Sequence, residues 1–133
     1  MILIDAGPLV ALVNSDDRHH DRCRAAARVI QDPLGTVWPV VTEAMYLLGS
    51  WRAQDALWEL MESANVDLLA LGAGDSARMR ELMRKYRDLP MDLADAALVT
   101  IAERERISRI FTLDRRDFEI YRPAKLGRFA LIP

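Results

Sequence analysis

The feature that most constrains this chain is an alternation of short apolar runs, rich in branched residues, with stretches long enough for helices. Ile2-Leu3-Ile4 reads as a buried opening strand, and Asp5-Ala6-Gly7-Pro8 breaks it. Pro8 suits the first turn of a helix running to about Leu12 or Val13. A helix from about Arg18 to Gln31 follows, with Ala25, Ala26, Val29 and Ile30 along one side, and Asp32-Pro33-Leu34-Gly35 turns the chain. Thr36-Val37-Trp38 reads as a second strand, with Thr42 as N-cap of a helix over Glu43 to Leu48 and Gly49 as its stop. Helices are expected over Arg52–Ser63, Ser76–Tyr86 and Asp92–Arg106, and strands over Val66–Leu71, Arg109–Thr112 and Phe129–Ile132. Such an alternation predicts an α/β fold whose parallel sheet is covered on both faces.

The 133 residues and a 51% hydrophobic content suit a single domain over residues 1–133 with a full core. No apolar run approaches the roughly 20 residues of a membrane span, and the opening residues do not read as a signal peptide. Cys23 stands alone, which makes an internal disulfide impossible and a reducing cytoplasm the natural setting. A net charge of −2 does not by itself call for nucleic acid.

Most of the 20 acidic residues read as solvated surface, but four lie in apolar surroundings. Asp5 ends the first strand, Asp114 follows Ile110-Phe111-Thr112-Leu113, and Glu43 lies between two apolar segments. Asp95 shares a helix stripe with Leu98, Val99 and Ala102. Taken singly, each can cap a loop or a helix. Four buried carboxylates together need a shared compensating charge, because a lone one is costly and stays protonated or paired. A divalent cation with hard oxygen ligands, Mg²⁺ or Mn²⁺, supplies it. Two of the acids fall just past strands, where open parallel sheets place their ligand sites.

These residues resemble the PIN-domain family, most of all its VapC-type toxin ribonucleases. The likeness rests on the segments 4–12, Val41-Thr42-Glu43-Ala44, Asp95-Ala96-Ala97-Leu98-Val99 and 110–118, in that order, and spans essentially the whole chain. It implies a three-layer α/β/α sandwich with a mainly parallel sheet, and a metal-dependent endoribonuclease that cuts single-stranded or loop RNA. It places Asp5, Glu43, Asp95 and Asp114 on the family's acidic positions. Asp5 and Asp95 are then the surest metal ligands, with Asp114 third or acting through water and Glu43 completing the cluster and orienting the attacking water. A cognate antitoxin and a homodimer are further implications of the resemblance.

Two departures stand out. Relatives often carry a hydroxyl residue after the first acid, and this chain has Ala6. Asp92 and Asp117 are extra acids: Asp92 reads first as an acid stabilising its helix N-terminus and second as an outer ligand. Asp117 either backs up Asp114 or pairs with an arginine.

Other signals carry less. Gly72-Ala73-Gly74-Asp75-Ser76-Ala77 has the outline of a dinucleotide fingerprint, but too little chain follows for that fold, so it reads as a loop. His19, His20 and Cys23 are three ligands where structural zinc takes four, and they read as a polar helix start. Trp38, Trp51 and Trp58 read as core or interface residues, Trp51 and Trp58 as one packed helix stripe, with base stacking the lesser reading. Arg115 and Arg116 read as surface charge or as phosphate contacts at the rim of the site. A catalytically silent PIN-like binding module is the alternative, which the complete acid set opposes. Receiver and haloacid-dehalogenase patterns fit poorly, since the latter needs an aspartate where Gly7 stands.

Overall fold

The computed structural model describes residues 1–133. In chain order the elements are β1 (Ile2–Ile4), α1 (Ala6–Val13), α2 (His20–Val29), β2 (Leu34–Thr36), α3 (Trp38–Leu48) and α4 (Trp51–Ser63). They continue with β3 (Asp67–Leu68), α5 (Ser76–Lys85), α6 (Leu93–Glu105), β4 (Arg109–Phe111), α7 (Arg115–Ile120) and β5 (Ala130–Ile132). The five strands form one sheet in the order β3-β2-β1-β4-β5, and every pairing is parallel. Ile2, Leu3 and Ile4 are all buried, as expected of a central strand with both faces covered. The core helix α6 packs against α3 and α5, and its residues from Ala94 to Ala102 are buried without interruption. Its alanines, Ala96 and Ala97 among them, let it seat deep in the protein.

The strand order reverses between β1 and β4: successive strands run outward from β1 to β3, and the chain then returns to place β4 and β5 on the other side. Parallel sheets open a crevice at the carboxyl ends of the strands where this reversal occurs. The pairing fixes what stands there, since Leu3 and Ile4 lie opposite Ile110 and Phe111. The Asp5 amide then donates to the Phe111 carbonyl oxygen at 2.9 Å, which sets Asp5 beside Thr112.

Three local expectations need correction. Helix α3 starts at Trp38, well before Thr42, because extended Val37 followed by Pro39 in the first turn launches the helix there. Thr42 is consequently inside the helix and its hydroxyl bonds back to the Trp38 carbonyl at 3.0 Å, while β2 shifts to Leu34–Thr36. The strand expected over Val66–Leu71 shortens to Asp67–Leu68, an exposed edge. Helix α7 was not anticipated. Its N-cap, Asp114, lies in a polar run with no clear apolar periodicity. In the Gly72–Ala77 segment a short turn over Ala73–Asp75 leads into α5 at Ser76, and the Asp75 carboxylate accepts from the Gly72 amide at 2.9 Å.

The tryptophans also depart from expectation. Trp38, Trp51 and Trp58 are 53%, 70% and 43% exposed, so Trp51 and Trp58 form no buried stripe. Helix α4 buries Leu57 and Met61 instead, which fill the core with aliphatic volume.

Candidate metal centre and active site

Each acid in the crevice is set by a helix end or a helix face. Asp5 caps α1, its Oδ1 accepting from the Ala6 amide at 2.8 Å. Asp92 caps α6, its Oδ1 accepting from the Asp95 amide at 2.9 Å, which leaves Asp95 in the first turn. Asp114 caps α7 in the same manner, accepting from the Asp117 amide at 3.3 Å. Three helix N-termini therefore meet in one place, and their partial positive ends favour the carboxylates gathered there. Glu43 enters from α3, half-buried and with no hydrogen-bonding side-chain partner. The result is an open cleft of about 460 Å³ lined by Asp5, Glu43, Asp92, Asp95, Asp114 and Asp117 together with Ala6, Gly7, Leu47, Pro90 and Leu113.

All four of the acids singled out in the sequence thus reach one cleft, as do Asp92 and Asp117. They are not equivalent. Asp5 and Asp95 are 7% and 9% exposed, whereas Asp114 stands out in solvent at the rim, beyond the apolar run that precedes it. Carboxylate oxygens of Asp95, Asp114 and Asp117 lie within 4.8 Å of one another. Asp5 is outside that trio, and both of its oxygens already accept a bond, Oδ2 from the Thr112 hydroxyl at 2.8 Å. Asp117 therefore joins the ligand-competent set by geometry.

The electrostatics follow from burial and crowding. Burial pushes the Asp5 carboxyl up to about 6, against the bonds from Thr112 and Ala6 and with a further rise from Asp114 and Asp92. Burial, and then the charge of Asp5, push Asp95 up to about 8 despite its bond from Tyr121. Glu43 is pushed up to about 7 by burial and by Asp92, Asp5 and Asp114. Asp117 is also raised, by burial and by Asp114. None of the six carboxylates pairs with a lysine or arginine, since every ion pair of the molecule lies elsewhere. A set of hard, unpaired oxygen donors that raise one another's proton affinity fits a divalent cation.

Two site residues escaped the sequence reading. Thr112 is fully buried; besides donating to Asp5, its hydroxyl accepts from the Asp114 amide at 3.0 Å and so ties two acids together. The signal was a threonine two residues before Asp114 in an otherwise apolar strand. Tyr121, buried behind α7, donates its hydroxyl to Asp95 Oδ2 at 2.7 Å, and burial beside that carboxylate pushes its phenol well above the usual range. Nothing in its sequence neighbourhood marks it.

The remaining candidates lie elsewhere or are otherwise engaged. His20 Nδ1 bonds the Ala11 carbonyl oxygen at 2.6 Å, His19 accepts from Arg18, and Cys23 is buried, so no zinc site forms from them. Arg115 is held by the Pro133 carbonyl oxygen and by Glu119, while Arg116 is exposed beside Asp117. A slightly larger hollow of about 500 Å³ is lined mostly by apolar residues such as Leu9, Leu12, Ile30 and Leu60. Its one carboxylate, Asp32, is paired with Arg109, so the chemistry belongs to the acidic cleft. No helix is long and apolar enough to cross a membrane.

Known proteins of similar sequence and fold identify the family. The chain is 34% identical over 135 residues to Ribonuclease VapC26 of Mycobacterium tuberculosis, covering 99% of this chain and all of that protein. Its fold is similar to that of VapC20 of M. tuberculosis, a Sarcin-Ricin loop cleaving toxin, with a TM-score of 0.80 and 19% identity over 87% of this chain and 92% of that one. It is also similar to a toxin–antitoxin complex from Klebsiella pneumoniae, with a TM-score of 0.67 and 18% identity over 89% and 90% of the two chains. A third similar structure is VapBC2 from Rickettsia felis bound to a DNA fragment from its promoter, with a TM-score of 0.69 and 14% identity over the full length of both chains. With residues 2–125 matching the PIN domain and a relative aligned nearly end to end, the chain belongs to the PIN-domain family.

Proposed function

We propose that this protein is a divalent-metal-dependent endoribonuclease that cleaves single-stranded or loop RNA and serves as the toxin of a toxin–antitoxin pair. The observation that carries the reading is the convergence of six unpaired carboxylates at the reversal point of a parallel sheet, in a chain with a ribonuclease relative along its whole length. Residues 1–133 act as one domain. Asp95 and Asp114 hold the metal with Asp117, and Asp5 supports them from the floor of the cleft. Mg²⁺ or Mn²⁺ suits this all-carboxylate set, since both favour hard oxygen ligands and a partly hydrated shell. When bound, such a metal acidifies water and stabilises the charge that develops on phosphate.

The chain's own residues supply position and proton handling. Glu43 faces the cleft from α3 with no competing side-chain partner, which leaves its carboxylate free to orient an attacking water. Asp92 keeps the first turn of α6 in place and so holds the Asp95 backbone. Thr112 holds Asp5 and the Asp114 backbone at a fixed separation. The exposed Arg116 beside Asp117 can contact a flanking phosphate.

Partners follow from the same reading. A cognate antitoxin silences the nuclease, as complexes of similar fold imply. A homodimer would cover the exposed Trp38, Tyr46 and Leu93, which line one open hollow. Free, buried Cys23 is at home in the cytoplasm.

The deciding assay uses purified protein, free of any partner, on a structured RNA pool. Cleavage is expected with Mg²⁺ or Mn²⁺, loss of cleavage in EDTA, and no cleavage by a folded Asp95→Asn variant. Undiminished cleavage by Asp95→Asn would remove the metal cluster from the mechanism. A parent inert with both metals across many RNAs would point to a silent binding module.

A further inference from the structure

The Asp95 carboxylate is asymmetric, and the cause is a residue outside the acidic set. Tyr121 is fully buried and packs edge-on to Tyr86 and Phe118, with ring centroids 5.0 and 5.1 Å away. Tyr86 is itself fixed, because its hydroxyl accepts from the Arg122 amide at 2.9 Å. From this rigid seat the Tyr121 hydroxyl donates to Asp95 Oδ2 at 2.7 Å, while Oδ1 accepts no bond from the protein. A hydrogen bond from a hydroxyl to a carboxylate is among the stronger kinds, and a packed ring cannot easily withdraw it.

We propose that Tyr121 is a positioning residue that confines Asp95 to one free oxygen and thereby biases the cleft toward a small octahedral cation. This rests on the metal-dependent reading given above. Ca²⁺ takes six to eight oxygens and often grips a carboxylate through both of them, whereas Mg²⁺ accepts few carboxylates, each through one oxygen, and keeps its waters. Two-oxygen chelation by Asp95 requires Oδ2 to share or shed the phenol that holds it. Asp114 has no such clamp, only the long 3.3 Å bond from the Asp117 amide, so it adapts to the ion while Asp95 does not.

Tyr121→Phe keeps the ring and removes only the hydroxyl. Mn²⁺ affinity is measured by the electron paramagnetic resonance of free ion, and Ca²⁺ affinity by competition, on parent and variant. The variant is expected to bind Mn²⁺ roughly tenfold more weakly, with Ca²⁺ affinity held or improved, so that the Mn²⁺/Ca²⁺ preference falls about tenfold. Tyr46→Phe removes an exposed hydroxyl that bonds no carboxylate of the cleft, and should leave that preference unchanged. A preference within about twofold of the parent in Tyr121→Phe, or an equal fall in Tyr46→Phe, overturns the proposal.

Should Tyr121→Phe fail to fold, the parent labelled with 3-fluorotyrosine gives the answer. The chain has three tyrosines, so Tyr46→Phe and Tyr86→Phe assign the resonances. The Tyr121 fluorine signal is expected to move along the Mg²⁺ binding curve, and a stationary signal refutes the coupling. A parent that binds neither ion overturns the metal reading itself, a result distinct from an unchanged preference.

Discussion

Asp95→Asn should make the metal-free protein more stable while destroying its function. The carboxyl is nearly buried and pushed up to about 8, chiefly by burial and by Asp5, against an ordinary 3.8. At pH 7 the unfolded chain has given up this proton and the folded chain retains it. At ~1.4 kcal/mol per pH unit across that interval, folding is penalised by on the order of 4 kcal/mol. Asparagine has nearly the same shape, carries no charge, and keeps an oxygen to accept from Tyr121. The variant should therefore gain about 2–4 kcal/mol at pH 7, which for a chain of this size raises Tm by roughly 6–15 °C. The gain has a signature in pH, because it should vanish below about pH 4, where the aspartate is protonated in both states. Thermal unfolding of parent and variant between pH 3.5 and 8, in EDTA and in saturating Mg²⁺, measures it. Mg²⁺ should raise the parent's Tm and leave the variant's nearly unmoved, since a ligand stabilises only the state that binds it. A variant equally or less stable than the parent in EDTA at pH 7, or a gain independent of pH, would refute the electrostatic reasoning.

The parent itself should show the same linkage. Asp5 is raised from 3.8 to about 6, so its contribution favours folding at low pH and is lost as pH rises through 6, amounting to about 3 kcal/mol. In EDTA, Tm should fall between pH 4 and pH 8, and Mg²⁺ should flatten that decline. Thr112→Val removes the donor to Asp5 Oδ2 and the acceptor of the Asp114 amide, and is expected to cost about 1–3 kcal/mol and to weaken metal binding roughly tenfold, read by urea unfolding and calorimetry. Thr100→Val acts in the opposite direction, because the Thr100 hydroxyl is buried in α6 with no partner. Chemical denaturation should show a gain of about 1 kcal/mol with metal affinity and cleavage unchanged.

The chain order of elements was legible because it depends on local facts. Short apolar runs such as Ile2–Ile4 and Ile110–Phe111 favour extended structure, and Gly49 ends α3 through its own φ of 75°. Helix α7 was not legible, since its six residues carry no period and depend on Asp114 as cap and on Phe118 finding the core. The outward-facing tryptophans were misjudged for a related reason. Hydrophobicity says what burial would gain, while the facing elements decide which side of α4 is buried.

For the site, apolar surroundings singled out Asp5 and Asp95 most clearly, while Glu43 and Asp114 rested more on the family resemblance. Their ranking was a tertiary matter. Pairing of β1 with β4 puts Thr112 against Asp5 across a separation of more than a hundred residues, and α7 swings Asp117 to Asp114 and Tyr121 to Asp95. A carboxylate's neighbours within a few ångströms set its proton affinity and its free oxygens, and in a parallel sheet those neighbours come from distant parts of the chain.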